Sequence, residues 1–352
     1  MDGTYKALSR QQVWGHYRYS PHVETFDVTE QWACDSMDGV KSEHSNMPLS
    51  SLAAWLDSGT TKEIDGQIYT LILRVVWVRR DKSTMQMNLP ERAFRSIVDS
   101  FDLSLAAEYS TSTLTETAEI TYTSKVEGKT TNQRSFAFSF HPKLAAIWSR
   151  RSRERTPISQ PFTNIIVLAN GGLATSFRDQ FKVQWEANVM SHVMFPLFLC
   201  GMVLSQDSGS KHNAIKAELR EVESRTGYHR FATRSEPPAT GDLGELSARM
   251  SGSETKLAGV TRKLKTVEEI CAFMEKHSCS DPVRRVDEHH DISESNDTAM
   301  TGDEVIRRSA DLLKERVRAQ TVENERTMQR VRTQINAVRY MLPVLSPVTR
   351  LR

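Results

Sequence analysis

The densest cluster of possible metal ligands in this 352-residue chain is Asp287-Glu288-His289-His290-Asp291. Two imidazoles flanked by carboxylates offer nitrogen and oxygen donors to a divalent cation. The surrounding stretch, Ser278 to Glu304, is polar, acidic and without hydrophobic period. A solvated flexible loop is therefore the preferred reading and a weak cation site the lesser one, with Asp281 as a looser extra carboxylate. A second stretch, Trp148 to Arg155, sets basic residues beside an aromatic. It could contact phosphate or RNA, but an exposed helix end is the commoner use of such a run.

Other chemistry is hard to find. The chain has no glycine-rich phosphate loop, no G-x-S-x-G elbow and no H-x-x-x-H pair, so the usual phosphate, nucleophile and zinc signatures are missing. His192 and His229 stand alone and read as structural; Met190, Met194 and Met202 read as core packing. With no nucleophile–base pair in view, the chain is not expected to be an enzyme. An undetected enzyme in the region around 66–180 is the residual alternative.

Lys and Arg number 46 against 44 Asp and Glu, for a net charge of +2. Nucleic acid is thus not expected as the main partner. The four cysteines, Cys34, Cys200, Cys271 and Cys279, form no C-x-x-C pair, which argues against a disulfide framework or zinc site. The N-terminus lacks the apolar core of a secretory signal. The most apolar run, Val189 to Leu204, would reach about 24 Å as a helix, short of a bilayer's hydrocarbon core of about 30 Å. It reads as a buried element, and the chain as cytoplasmic, at most peripheral to a membrane, with no span of its own.

Which elements would carry these residues? Residues 1–65 show scattered aromatics and no sustained period, so they are expected to be an irregular region with one short helix through Ser51 to Ser58. From 66 to 180 an α/β domain is expected. Gln67 to Arg80 is apolar and β-branched throughout, as in a strand buried on both faces. A helix through Phe94, Ile97, Val98 and Phe101 follows. Three further strands come next, one with Phe136, Phe138 and Phe140 alternating so that one face is buried and the other is not. The last strand closes on an Asn170-Gly171-Gly172 turn.

Residues 181–278 hold the apolar segment and helices. One helix places Ile215, Leu219 and Val222 on a face, with Gly227 as its expected cap. The next carries a heptad row: Leu243, Met250, Leu257, Leu264 and Cys271 alternate with Leu246, Ser253, Val260, Val267 and Met274. That is the narrow seam of a coiled coil rather than the broad stripe of a core helix. After the loop at 279–300, a stalk-like helix over 301–342 runs Ile306, Ala310, Leu313, Val317, Thr321, Asn324, Met328, Val331, Ile335 and Val338. The extra step of four at Thr321 is a stutter, and Asn324 is placed to set register. Residues 343–352 form a tail.

Glu218 to Phe231, preceded by the proline-centred apolar block at Ser191 to Leu204, resembles the fungal branch of the CorA-like divalent-cation transporters. Leu312 to Gln320 is similar to the opening of that family's last long helix. Order and spacing match over residues 185–335. The resemblance implies an α/β cytosolic domain feeding a stalk, self-association or a related full-length transporter subunit as partner, and a divalent cation such as magnesium as ligand. The family's paired membrane segments and G-M-N signature have no counterpart here, so no pore residue can be assigned.

The expected fold is α+β or α/β: an N-terminal mixed sheet with helices, then a long antiparallel C-terminal helical hairpin of coiled-coil type. The expected function is that of a non-catalytic, pore-less CorA-like relative acting through helix-mediated association. The alternative is the cytosolic fragment of a CorA-like metal-ion transporter whose membrane segments lie outside this sequence.

Overall fold

The computed structural model describes residues 18–34, 37–81, 84, 86–111, 114–126, 129–151, 162–183, 185–226, 240–278 and 301–344. In chain order, β1 (Arg18–Tyr19), β2 (Thr25–Cys34) and β3 (Met37–Pro48) precede helix α1 (Leu52–Leu56). Then come β4 (Thr61–Ile64), β5 (Gln67–Arg79), β6 (Gln86–Met87), α2 (Glu91–Ser100) and α3 (Ala107–Thr111). Strands β7 (Thr115–Val126), β8 (Lys129–Phe140), β9 (Leu144–Arg151) and β10 (Phe162–Ala169) lead into α4 (Gly171–Gln180) and α5 (Ala187–Met190). Three long helices follow: α6 (Phe195–Thr226), α7 (Thr240–Ser278) and α8 (Gly302–Val344). The chain is thus a mixed α+β protein. It divides into two compact units, Met1–Cys200 with Ala272–Ala310, and Gly201–Cys271 with Asp311–Arg352.

In the first unit one sheet runs β3-β2-β5-β10-β9-β8-β7, with β4 also on β5. Every neighbouring pair is antiparallel except β5 and β10, which run parallel with Leu73 opposite Thr163 and Arg79 opposite Ala169. Leu71 to Val78 of β5 are all buried, because both faces are covered. On one face Val76, Val78, Ile166 and Leu168 pack with Phe94, Ile97 and Val98 of α2. On the other, Trp77 meets Phe177 of α4 edge-on at 5.7 Å between ring centroids.

Several expectations need correction. Residues 18–64 are not irregular: β2 pairs with β5 from Asp27 to Cys34, and β3 extends that sheet. From Ser135 to Phe140 strand β8 is buried on both faces, since Ser135, Ala137 and Ser139 are as hidden as Phe136 and Phe138. Small residues allow a close neighbour there rather than marking solvent. Residues Trp148 to Arg151 end a strand, not a helix, and the Trp148 indole donates to the Val193 carbonyl at 2.7 Å. Gly171 and Gly172 do not form a separate turn but open α4. The Gly171 φ of 44° lets the chain swing from β10 directly into α4. Residues 152–161, with the rest of the basic run, and Gly227 and His229 lie outside the described residues.

The second unit is helical. Phe195 to Leu204 of the apolar block continue without a break into the helix expected after them, as the 32-residue α6. Ile215, Leu219 and Val222 of α6 share a core with Leu243, Leu246, Met250 and Leu257 of α7 and Val331, Ile335 and Val338 of α8. Three helices therefore pack where the heptad rows had suggested two. Side-chain pairs fix their directions. Ser205, His212 and Thr226 bond Gln320, Thr327 and Gln334 in rising order, so α6 and α8 run parallel. Asp207 pairs with Lys263 and Glu221 with Arg249, so α7 runs against α6.

Candidate functional site

The acidic candidates Asp287, Glu288, His289, His290 and Asp291 lie outside the described residues. Among the described residues, no three His, Cys, Asp or Glu side chains are grouped to hold a metal ion. The seam residues can be placed. Leu243, Leu246, Met250, Leu257, Val260, Leu264, Val267 and Met274 of α7 are buried, as are Ile306, Leu313, Val317, Val331, Ile335 and Val338 of α8. Met328 is half-buried against the helical core. His192 is a structural residue: its Nδ1 accepts from the Met194 amide at 3.0 Å and its Nε2 lies 2.9 Å from Asp303. Cys34, Cys200 and Cys271 are buried thiols, and burial pushes Cys200 far above the usual thiol range.

Polar side chains thread the helical unit beside the apolar rows. Asp207 receives Lys211 at 2.7 Å and Lys263 at 2.5 Å. Glu223 takes two hydrogen bonds from Arg330, at 3.0 and 2.7 Å. Asn324 donates to Thr261 at 2.8 Å. Buried pairs of this kind fix helix register, because a slipped register would strand each charge in the core. These contacts tie α6 to α7, α6 to α8 and α7 to α8.

The first unit holds a different arrangement. A crevice of about 350 Å³ is lined by Asp27 of β2, Trp77 and Arg79 of β5, Asn88, Ala169 of β10, and Gly171, Thr175 and Arg178 of α4. Its place follows from the topology. Parallel β5 and β10 end level, and the helices that follow them, α2 and α4, cover opposite faces of the sheet. Where parallel neighbours send their connections to opposite sides, a gap opens beyond their carboxyl ends, and ligands of α/β proteins commonly occupy it.

The crevice side chains are held in place. Arg178 Nη2 donates to Asp27 Oδ2 at 2.6 Å, and its guanidinium lies 5.1 Å from the Trp77 ring centroid. Asn46 donates to the other Asp27 oxygen at 2.5 Å. Burial pushes the Asp27 carboxyl up, but these two bonds and the charges of Arg178 and His44 outweigh it and hold the carboxyl below its ordinary value. Trp77 is pinned in turn by its indole bond to Thr29 at 2.8 Å. Asn88 Oδ1 accepts the Arg79 amide at 2.5 Å and fixes the end of β5.

The chain matches no protein-family model and no curated protein. Function must then be argued from the geometry alone. Of the crevice residues sequence reasoning singled out Gly171 alone, and as part of a turn rather than of a site. The nearest local signal was Asn170-Gly171-Gly172 after an apolar strand, which a strand–glycine–helix reading would have turned toward a ligand site.

Proposed function

We propose that this chain is a CorA-like helical module that acts through helix-mediated association rather than catalysis. The supporting order of parts is a mixed sheet with helices, then three long helices, the last of 43 residues. In this reading α7 and α8 form an antiparallel pair of coiled-coil type, and α6 covers the remaining side of their seam.

One observation carries the association. The seam residues are already buried within the chain, so a partner must use outward faces. On α8 the outward Leu312 is 72% exposed and Tyr340 is 78% exposed. They lie four heptads apart, each two residues beyond a buried seam residue, Ala310 and Val338. The partner is a second copy or a related full-length transporter subunit at the cytoplasmic side of a membrane, and the ligand class is a divalent cation such as magnesium. No described helix is long and apolar enough to cross a membrane.

Sedimentation velocity tests the reading. The chain is expected to sediment as a dimer or larger at high micromolar concentration, and Leu312→Lys with Tyr340→Lys to return it to a monomer. A wild-type chain that stays strictly monomeric, with or without magnesium, overturns it.

A further inference from the structure

We propose that the crevice beyond β5 and β10 binds a small phosphorylated molecule, with Arg79 and Arg178 as the anion-holding residues. The proposal is independent of the association reading above. It begins with the position of the crevice, at the one parallel strand pair of the described sheet, where the flanking helices diverge to opposite faces. Its volume of about 350 Å³ suits a small ligand.

The chemistry of the lining favours an oxyanion. Of the charged side chains there, Arg79 and Arg178 are basic and only Asp27 is acidic. The Asp27 carboxylate is already engaged by Arg178 and Asn46, which leaves one positive charge in excess. Arg178 is preorganised for a planar two-point grip: Asp27 holds one end of the guanidinium and the Trp77 ring lies alongside it. Its Nε–H is buried without a hydrogen-bond partner, an uncompensated donor within a residue that lines the crevice. Arg79, at the exposed end of β5, also lines the crevice.

The first turn of α4 adds to this field. Its Asn170 cap makes no side-chain bond to the first turn and instead donates to the Pro142 carbonyl at 3.4 Å. Gly171 at the start of that turn lines the crevice, and no acidic residue in the turn opposes the positive end of the helix. Thr175 contributes a hydroxyl on the same wall.

The test is calorimetric titration of the full chain with inorganic phosphate and with adenosine 5′-monophosphate at fixed ionic strength. Saturable binding of at least one probe is expected. Tighter binding of the monophosphate identifies an organic ligand, and equal binding identifies the free anion. Arg79→Gln should weaken binding at least about tenfold, the factor a charge-assisted hydrogen bond carries. Because Arg79 is exposed, that variant should keep the wild-type melting midpoint. Ala174→Leu, which fills the crevice from α4, should abolish binding while Arg150→Gln on β9 leaves it unchanged. Absence of binding by both probes, or binding unaltered in both crevice variants, overturns the proposal.

Discussion

The Lys263 ammonium lies 2.5 Å from the Asp207 carboxylate, on a side chain only 3% exposed. Lys211 reaches the same carboxylate at 2.7 Å, so one acid serves two bases between α6 and α7. Burial, together with the neighbouring Lys211, lowers Lys263 to about 8, against the opposing pull of Asp207. Asp207→Asn would leave a buried ammonium without its counter-charge, and we expect a loss of about 3–5 kcal/mol in chemical denaturation. Adding Lys263→Met should restore most of it, because an apolar chain of similar length needs no partner there. A single-variant loss below about 1 kcal/mol would show that the pair is solvated.

His212 gives the helical unit an acid-sensitive contact. Its Nε2 lies 2.9 Å from the Thr327 hydroxyl across α6 and α8. Burial and the nearby Lys216 charge hold its pKa below the ordinary 6.5, with Glu323 opposing them. As pH falls below 6.5 the unfolded chain gains a proton that the folded chain still refuses, so stability declines until the folded pKa is passed. The denaturation midpoint should therefore drop between pH 7.5 and 5, and His212→Gln, which keeps a hydrogen-bonding group, should flatten part of that drop. An identical pH profile for the variant would remove His212 from the account. His277, lowered by burial and by Lys276 and Arg134 against Glu119, contributes in the same direction in the other unit.

Strand β5 and the α7 heptad row were legible because a single element carries their whole pattern. Leu71 to Val78 is apolar at every position but Arg74, and the row from Leu243 to Met274 is broken only by Ser253. Strands β2 and β3 were not legible. Thr29, Glu30, Gln31 and Ser42 have no apolar alternation, and their strand state comes from pairing with β5 and with each other. Thr29 and Gln31 are buried because their side chains find partners, Trp77 and Ser42, that lie far off in sequence. The helix through Ile215, Leu219 and Val222 was expected, but its packing was not, because that short face meets a composite of two other helices. The crevice was the least visible of all. Asp27 and Arg178 stand 151 residues apart and meet only once β2, β5 and β10 are in register.

Asn324 marks the stutter in α8, and its amide is only half satisfied. Nδ2 donates to Thr261 at 2.8 Å, while Oδ1 is buried with no partner. Thr261 also donates to the Leu257 carbonyl at 3.1 Å, so its hydroxyl does not depend on Asn324. Asn324→Leu keeps the heavy-atom count and the branch at Cγ, with bulkier methyl ends, and removes an unmet buried acceptor. The melting midpoint is expected to rise, by the equivalent of about 1 kcal/mol. A fall of that size would mean that the Thr261 bond outweighs the stranded carbonyl.

Two glycines in the long helices should respond differently to the same substitution. At Gly302, the first residue of α8, an added Cβ overlaps the Asn188 carbonyl oxygen and lies 3.0 Å from its carbon. Those are backbone atoms of the sheet-bearing unit and cannot swing aside, so α8 must shift from its start. Thr301 caps that start, accepting the Glu304 amide at 3.3 Å, and the shift would strain the cap as well. Gly302→Ala is expected to cost about 1–3 kcal/mol, as overpacking does. At Gly201, inside α6, the added carbon meets only methyl groups, Leu313 Cδ2 at 3.0 Å and Ile270 Cγ2 at 3.3 Å. These can yield by tenths of an ångström, and alanine in a helix gains roughly 0.5–1 kcal/mol over glycine. Gly201→Ala should thus be near neutral, whereas Gly201→Leu should cost about as much as Gly302→Ala. Denaturation midpoints of the three variants decide the matter, and equal losses for the two alanine substitutions would contradict the distinction between backbone and methyl neighbours.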